Sequence, residues 1–412
     1  MGRRVAVIGA GAVGLSAATW LWRKGCDVTV IDERGPGEGC SFGNAGNISS
    51  AAVVPYGMPN SIFKVMGWLL DPLGPLTIRP AAFPRLVPWF LRWIKASRAE
   101  NAIQVSRAMR VLHAPSYALF QDLAADAGLS HLLERKGQIR VSTKAGGAHG
   151  SELARLMRQA AGVRFEELTP DDARRMEPAL ASIYREVLFF PDVGICRDPH
   201  GLAQGMADHL RGNGVRFARA RVTGFEMGPQ GAVAALGQGE RWPFDRLVIA
   251  AGAWSSALTE RLGVKIPLTA ERGYHVTLTD PGLMPSCTIA DNDRAFIATP
   301  MTMGLRLAGT AEFAPIDAPP NWNRARVLLK HAKTMFPGVR TEQFTEWMGS
   351  RPSIADGLPV LDRAPGHRAV VLAFGNGHFG LMASPMMGKL AATLALDEAA
   401  DADLAPYRAA RF

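Results

Sequence analysis

Gly9, Gly11 and Gly14 fall at the spacing G-x-G-x-x-G within Gly9-Ala10-Gly11-Ala12-Val13-Gly14. Each glycine has a chemical reason to be there. Gly9 permits a tight strand-to-helix turn, Gly11 lets the backbone approach a pyrophosphate, and Gly14 lets the helix pack against the strand. The N–H groups at the helix start, around Ala12 and Val13, are unpaired within the helix and carry partial positive charge, which suits phosphate oxygens. Asp32 follows 23 residues after Gly9. A carboxylate there accepts hydrogen bonds from both hydroxyls of an adenosine ribose, and Glu33 competes for that role from one residue further on.

The elements that must hold these groups surround them. Val5-Ala6-Val7-Ile8 reads as a buried strand, a helix-permissive run continues to Lys24, Gly25 breaks it, and residues 26–31 read as a second buried strand. Residues 5–22 carry no charge and follow Arg3 and Arg4, a pattern also found in signal peptides. Strand, glycines, helix, strand and acid in register favour a βαβ dinucleotide site instead.

Three later stretches favour FAD over a nicotinamide cofactor. Ser41-Phe42-Gly43-Asn44-Ala45-Gly46-Asn47 is small and polar, so Ser41, Asn44, Gly46 and Asn47 can line a pyrophosphate and a flavin ring. An aliphatic strand over residues 246–250 runs into Ala251-Gly252-Ala253-Trp254, small enough at Gly252 for close backbone approach. Near the C-terminus a strand over 369–374 meets Gly375-Asn376-Gly377-His378-Phe379-Gly380 and then a helix over 381–396. That second glycine-rich turn presents a helix N-terminus suited to negative charge at the N1–C2=O edge of a reduced flavin.

With these motifs in order along nearly the whole chain, the sequence resembles the D-amino-acid oxidase superfamily of FAD enzymes, closest to bacterial D-amino-acid dehydrogenases. Further carriers of the resemblance are Arg272-Gly273-Tyr274, Arg351-Pro352 and Asp356-Gly357-Leu358-Pro359. It implies non-covalent FAD, because Gly349-Ser350-Arg351 stands where relatives with a cysteine-linked flavin carry the thiol. It also implies an adenine-side contact through the backbone of Val222.

For such an enzyme the protein supplies geometry: the substrate Cα–H must face the flavin and the carboxylate must be gripped. The resemblance places the family's carboxylate-binding arginine at Arg351, whose planar fork matches two oxygens. Tyr274 is a second candidate, sharing the carboxylate with Arg351 or bounding the space over the flavin. His275, adjacent on the strand, is expected to face the other way. His378 is expected to contact flavin or substrate, more for positioning than as a base. Close relatives often carry a tyrosine shortly after the Asn-Ala-Gly run; here Ser50-Ala51-Ala52-Val53-Val54-Pro55 precedes Tyr56, so either Tyr56 substitutes from four residues on as a substrate contact or the pocket is wider and more apolar.

The chain of 412 residues has 48% hydrophobic and 20% charged residues, which is globular composition. Four widely spaced cysteines, with no C-x-x-C, argue against a disulfide framework, and no cluster has metal-ligand spacing. The net charge is +9, and residues 61–110 hold eight Lys/Arg against Asp71 and Glu100 together with three tryptophans. Leu86, Trp89, Phe90, Trp93 and Ile94 form one helical stripe there, and residues 61–70 a second short helix, separated from it by Pro72, Pro75 and Pro80. Two readings stand: helices packed on the protein's own core, or a helix lying in an anionic membrane surface.

These features predict an α/β protein: a Rossmann-like FAD-binding domain from segments 1–50, 190–262 and 346–412, and an α+β substrate domain with a mixed or antiparallel sheet from 51–189 and 263–345. The expected activity is oxidative deamination of D-amino acids, with hydride passing from the substrate Cα to flavin N5 and electrons to a quinone-type acceptor. The expected location is cytoplasmic, at or near the inner membrane face. The alternatives are an oxidase or dehydrogenase of secondary amines such as D-hydroxyproline, D-proline, sarcosine or glycine, and an RNA-modifying flavoprotein. The positive charge follows no evident groove, so no nucleic-acid partner is expected.

Overall fold

The computed structural model describes residues 2–71 and 74–412; Pro72, one of the expected helix breaks, lies outside the described residues. Val5, Val7, Val28, Val30, Leu247 and Val248 are almost fully buried, as strands covered on both faces require. They belong to a six-stranded sheet in the order Arg216–Arg219, Asp27–Asp32, Arg4–Ile8, Arg246–Ile249, His367–Phe374, Val360–Ala364. All neighbours are parallel except the last pair. One face packs on the helices Ala12–Arg23, Pro199–Gly212 and Gly380–Ala395. The first and last of these nearly touch, because a Cβ on Gly388 would stand 2.5 Å from Ser16 Cβ.

A second, nine-stranded sheet carries Phe344–Ile354, Leu268–Leu278, Gly304–Phe313, Phe296–Met301, Thr288–Asp291, Gln138–Ser142, Glu186–Phe190 and Glu166–Leu168 in that order, with Leu76–Ile78 paired on Gly304–Phe313. The strands between residues 268 and 313 pair antiparallel, and Gln138–Ser142 joins them parallel to Thr288–Asp291, so the sheet is mixed. Helix Asn323–Met335 covers one face, burying Tyr274, Val276, Leu307 and Ile289.

One boundary differs from the sequence reading. Residue 346, the expected start of the last nucleotide segment, falls inside Phe344–Ile354, which belongs to the larger sheet. Helices Ala99–His113 and Ser116–Asp126 are parted at Pro115, which has no N–H to continue the ladder. Strand Arg216–Arg219 ends before Val222, which lies in the link to the next sheet.

Residues 61–110 begin with helices Ser61–Leu70 and Phe83–Ala96. Within the second, Leu86 and Trp93 are buried and Trp89 and Phe90 pack with Phe313, so most of the expected stripe faces inward. Ile94 departs from it and joins Phe83, Val87 and Leu91 on an exposed apolar face. The first helix buries no residue, and Phe63 and Leu70 are 75% and 82% exposed. Among the described residues, no helix is long and apolar enough to cross a membrane.

Candidate active site

A cavity of about 1210 Å³ reaches both sheets. Of the cofactor and substrate candidates named above, all but Gly14 and Gly46 line it. Those two have backbone reasons instead. A Cβ on Gly14 would stand 1.8 Å from the Gly9 carbonyl oxygen, and one on Gly46 (φ 68°) would stand 2.3 Å from that of Cys196.

At one end lies the turn into Ala12–Arg23. This helix has no acidic residue in its first turn, so its partial positive charge is offset only by Ser41 Oγ, which accepts from Ala12 N–H at 3.0 Å. Only Ser41 Oγ lies near a Cβ placed on Gly11, which would otherwise project into free space. Asp32 accepts from Ala10 N–H (2.7 Å) and Arg34 N–H (2.8 Å). Burial raises its carboxyl above the ordinary aspartate range, and these two bonds oppose the rise. Glu33 is exposed, with Arg221 3.9 Å away. Asn44 Oδ1 accepts from Gly46 N–H, shaping the loop, and the Phe42 and Asn44 carbonyls accept from Arg306. The Arg34 guanidinium lies 4.5 Å over the Trp254 ring beside Gly252.

At the other end the turn Gly377–Phe379 opens helix Gly380–Ala395, again with no acid in its first turn. Beside it Arg351 and His378 meet on Glu271, a residue that the sequence reading missed. Glu271 accepts from Arg351 Nη1 at 3.1 Å, from Ser353 Oγ at 2.9 Å and from His378 Nε2 at 2.5 Å. Burial alone would raise the Glu271 carboxyl; His378, Arg351 and Ser353 outweigh it and hold it at about 2. An ionised carboxylate only accepts, so the His378 nitrogen that faces it, Nε2, carries a proton. The Tyr56 ring packs 4.3 Å from His378 and 5.2 Å from Phe379.

Strand register explains the cluster. Glu271 pairs with Arg351, Gly273 with Gly349, and His275 with Trp347, so these side chains share one face. Tyr274 is on the other. Its hydroxyl donates to Glu312 at 2.6 Å and accepts from Asn321 N–H at 3.0 Å. The expectation that it shares a carboxylate with Arg351 is therefore corrected: it is a packed strand residue satisfying a buried acid, which also takes Arg79 and Arg272. His275 does face away from Tyr274, which puts it on the Arg351 face, where Nδ1 lies 3.1 Å from the Gly43 carbonyl and the ring stacks on Trp347. Burial pushes it down to about 3, so it is neutral. Two strand residues apart from Gly273, Glu271 had an alternation signal; its cross-strand partner had none.

The residues present fit FAD. Two glycine-rich helix starts without acids face one elongated cavity, Gly11 leaves a cradle that a Cβ would fill, and Asn47 Oδ1 and Asn376 Oδ1 are buried on its wall without a protein partner. Cys40 also lines it, and burial pushes its thiol up to about 11.

Comparison with known proteins agrees with this geometry. Residues 4–394 match the DAO family, described as FAD dependent oxidoreductase, and the chain belongs to that family of FAD-binding oxidoreductases. It is 37% identical to a D-amino-acid oxidase of Bradyrhizobium diazoefficiens, over 100% of this chain and 99% of that one. It is 31% identical to a D-amino acid dehydrogenase of Paramagnetospirillum magneticum, over 95% and 94%. Glycine oxidase from Geobacillus kaustophilus superposes with a TM-score of 0.77 at 23% identity, covering 100% and 99% of the two chains, which speaks for the fold.

Proposed function

We propose that this enzyme oxidises D-amino acids to 2-oxo acids and ammonia, with electrons leaving to a quinone-type acceptor. Bound FAD supplies the hydride acceptor; the chain's residues bind and orient. The observation that carries the reading is Arg351: one nitrogen is fixed by Glu271, and the rest of the fork lines the cavity beside the Gly377–Phe379 turn. A substrate carboxylate docks on that free part. Glu271 stays ionised, holds Arg351 in one rotamer and fixes the His378 ring through Nε2. Tyr56, packed on His378, bounds the pocket from the loop that follows Ser49. The relatives named D-amino-acid oxidase and D-amino acid dehydrogenase support the substrate class.

The test is anaerobic bleaching of the flavin by a panel of D- and L-amino acids, glycine, sarcosine, D-proline and D-hydroxyproline. D-Amino acids should bleach it. Bleaching by secondary amines alone would favour the imino-acid alternative, and bleaching by none would end the proposal. Parallel assays with oxygen and a quinone analogue identify the acceptor.

Support for a membrane-side acceptor comes from helices Ser61–Leu70 and Phe83–Ala96, where exposed Phe63, Leu70, Phe83 and Leu91 are interspersed with Lys64, Arg85 and Arg92. Burying each such side chain contributes ~1.5–3 kcal/mol. Replacing Phe63 and Leu91 by serine should therefore cut co-sedimentation with anionic vesicles by roughly tenfold or more; unchanged partition would remove the membrane reading.

A further inference from the structure

We infer that the cavity contains a second anion subsite, built by Arg140 and Arg158, which takes a carboxylate at the far end of the amino-acid substrate. This rests on the proposed reaction and names its substrate class: an amino acid with a second acid group on a long side chain or nitrogen substituent.

Both arginines line the cavity, remote from Arg351. Arg140 projects from Gln138–Ser142, with Cζ 5.0 Å over the Phe190 ring, and among the described residues its side chain makes no hydrogen bond. Arg158, on helix Glu152–Ala160, is 97% buried by its 3% exposure, donates from Nη1 to the His149 carbonyl at 3.0 Å, and lies 5.9 Å from the same ring. The Nε of each is buried without a partner. Neither forms a salt bridge among the described residues. The acids on neighbouring elements are engaged elsewhere: Glu152 with Arg155, Glu167 with His149, Asp291 with Arg294, and Glu186 with the Ala148 N–H.

Two like charges without a counter-ion are costly in a buried wall. Burial pulls both guanidinium groups down, Arg158 to about 9, with Arg140 adding to the fall. The start of helix Glu152–Ala160, at Ser151 and Ala154, lines the same cavity, but Glu152 in its first turn and the Ser151 side chain, which accepts from Ala154 N–H, already answer its partial positive charge. An anion would relieve the two guanidinium groups, whose forks match a carboxylate. Tyr56, whose ring packs on His378, lines the same cavity as Arg351 and Arg140, so the two ends share one cavity. Four strands separate Phe344–Ile354 from Gln138–Ser142, or ~24 Å along the sheet at ~4.8 Å per step, before side-chain reach and curvature shorten it. The subsite therefore predicts a preference that grows with chain length.

The test titrates the flavin-loaded protein with straight-chain dicarboxylates from succinate to suberate, and with monocarboxylates of matched length, by calorimetry and flavin absorbance. At the longer lengths the second carboxylate should tighten binding at least about tenfold, and Arg140→Gln or Arg158→Gln should each abolish the gain. No gain in the unmodified protein overturns the inference even if a variant fails to fold, as does a gain that survives both variants. Inorganic phosphate binding as tightly as the best dicarboxylate, with the same dependence on Arg140, would mark a free-anion site and also overturn it. In turnover, D-2-amino dicarboxylic acids should exceed their terminal amides in kcat/KM by about tenfold, a ratio falling towards one in Arg140→Gln. Bleaching by neutral D-amino acids with no such ratio would sink the subsite and leave the reaction standing. A dicarboxylate gain without bleaching by any amine would do the reverse.

Discussion

The guanidinium of Arg351 lies over the backbone of Gly273: a Cβ added there would stand 2.2 Å from Cζ and Nη2 and 2.5 Å from Nε. The same face repeats the device at Gly349, where an added Cβ would meet the Trp347 ring at 2.1 Å. Bare backbone thus lets two large side chains spread over the sheet beneath the cavity.

Gly273→Ala should displace Arg351 without removing it. KM should rise roughly tenfold or more, about 1.4 kcal/mol, with a smaller change in kcat. Arg351→Ala should cost ~2–5 kcal/mol of substrate binding, and Arg351→Lys should recover little of it because a point charge lacks the fork. Steady-state kinetics on the three variants checks the order.

Glu271 links acidity to stability. Its folded pKa of about 2 lies below the ordinary 4.5, so its contribution is present above about pH 4.5 and is lost as pH falls towards 2. Glu271→Gln should be less stable than the parent at neutral pH by on the order of 1–3 kcal/mol. The gap should close as pH drops through that window. Denaturant midpoints measured at a series of pH values would show it; a constant gap would contradict the ionised state.

Tyr274→Phe removes the hydroxyl that Glu312 accepts from, deep in the larger sheet. A stability loss of ~1–3 kcal/mol with KM nearly unchanged is the expected pattern. A large KM effect at unchanged stability would return Tyr274 to the substrate site.

Gly11→Val should fold yet fail to hold FAD, since only Ser41 Oγ is near the added carbon in the protein itself. Flavin content per chain should fall at least about tenfold while circular dichroism stays native. Gly14→Val should fail earlier, because its added carbon meets the Gly9 carbonyl.

The nucleotide half was readable because its signals are local. Gly9, Gly11, Gly14 and Asp32 sit within one βαβ unit, and the turn at Gly377 announces itself by composition. The reacting end was readable only in part, because it is made by pairing across distance. That Glu271 faces Arg351 follows from the register of strands 80 residues apart. The partner of the Tyr274 hydroxyl was hidden for the same reason: alternation separates Tyr274 from His275, but does not say that Glu312 stands opposite it. The stripe on Phe83–Ala96 was correctly a stripe, yet the helix is apolar on two sides, and periodicity does not reveal which side stays wet.

The near contact of Gly388 with Ser16 has a consequence for biosynthesis. Arg4–Ile8 waits for Arg246–Ile249 on one flank, and Ala12–Arg23 waits for Gly380–Ala395 to cover it. The cofactor cradle therefore cannot close until residues 380–395 are available to pack, and until then the apolar face of Ala12–Arg23 is left uncovered.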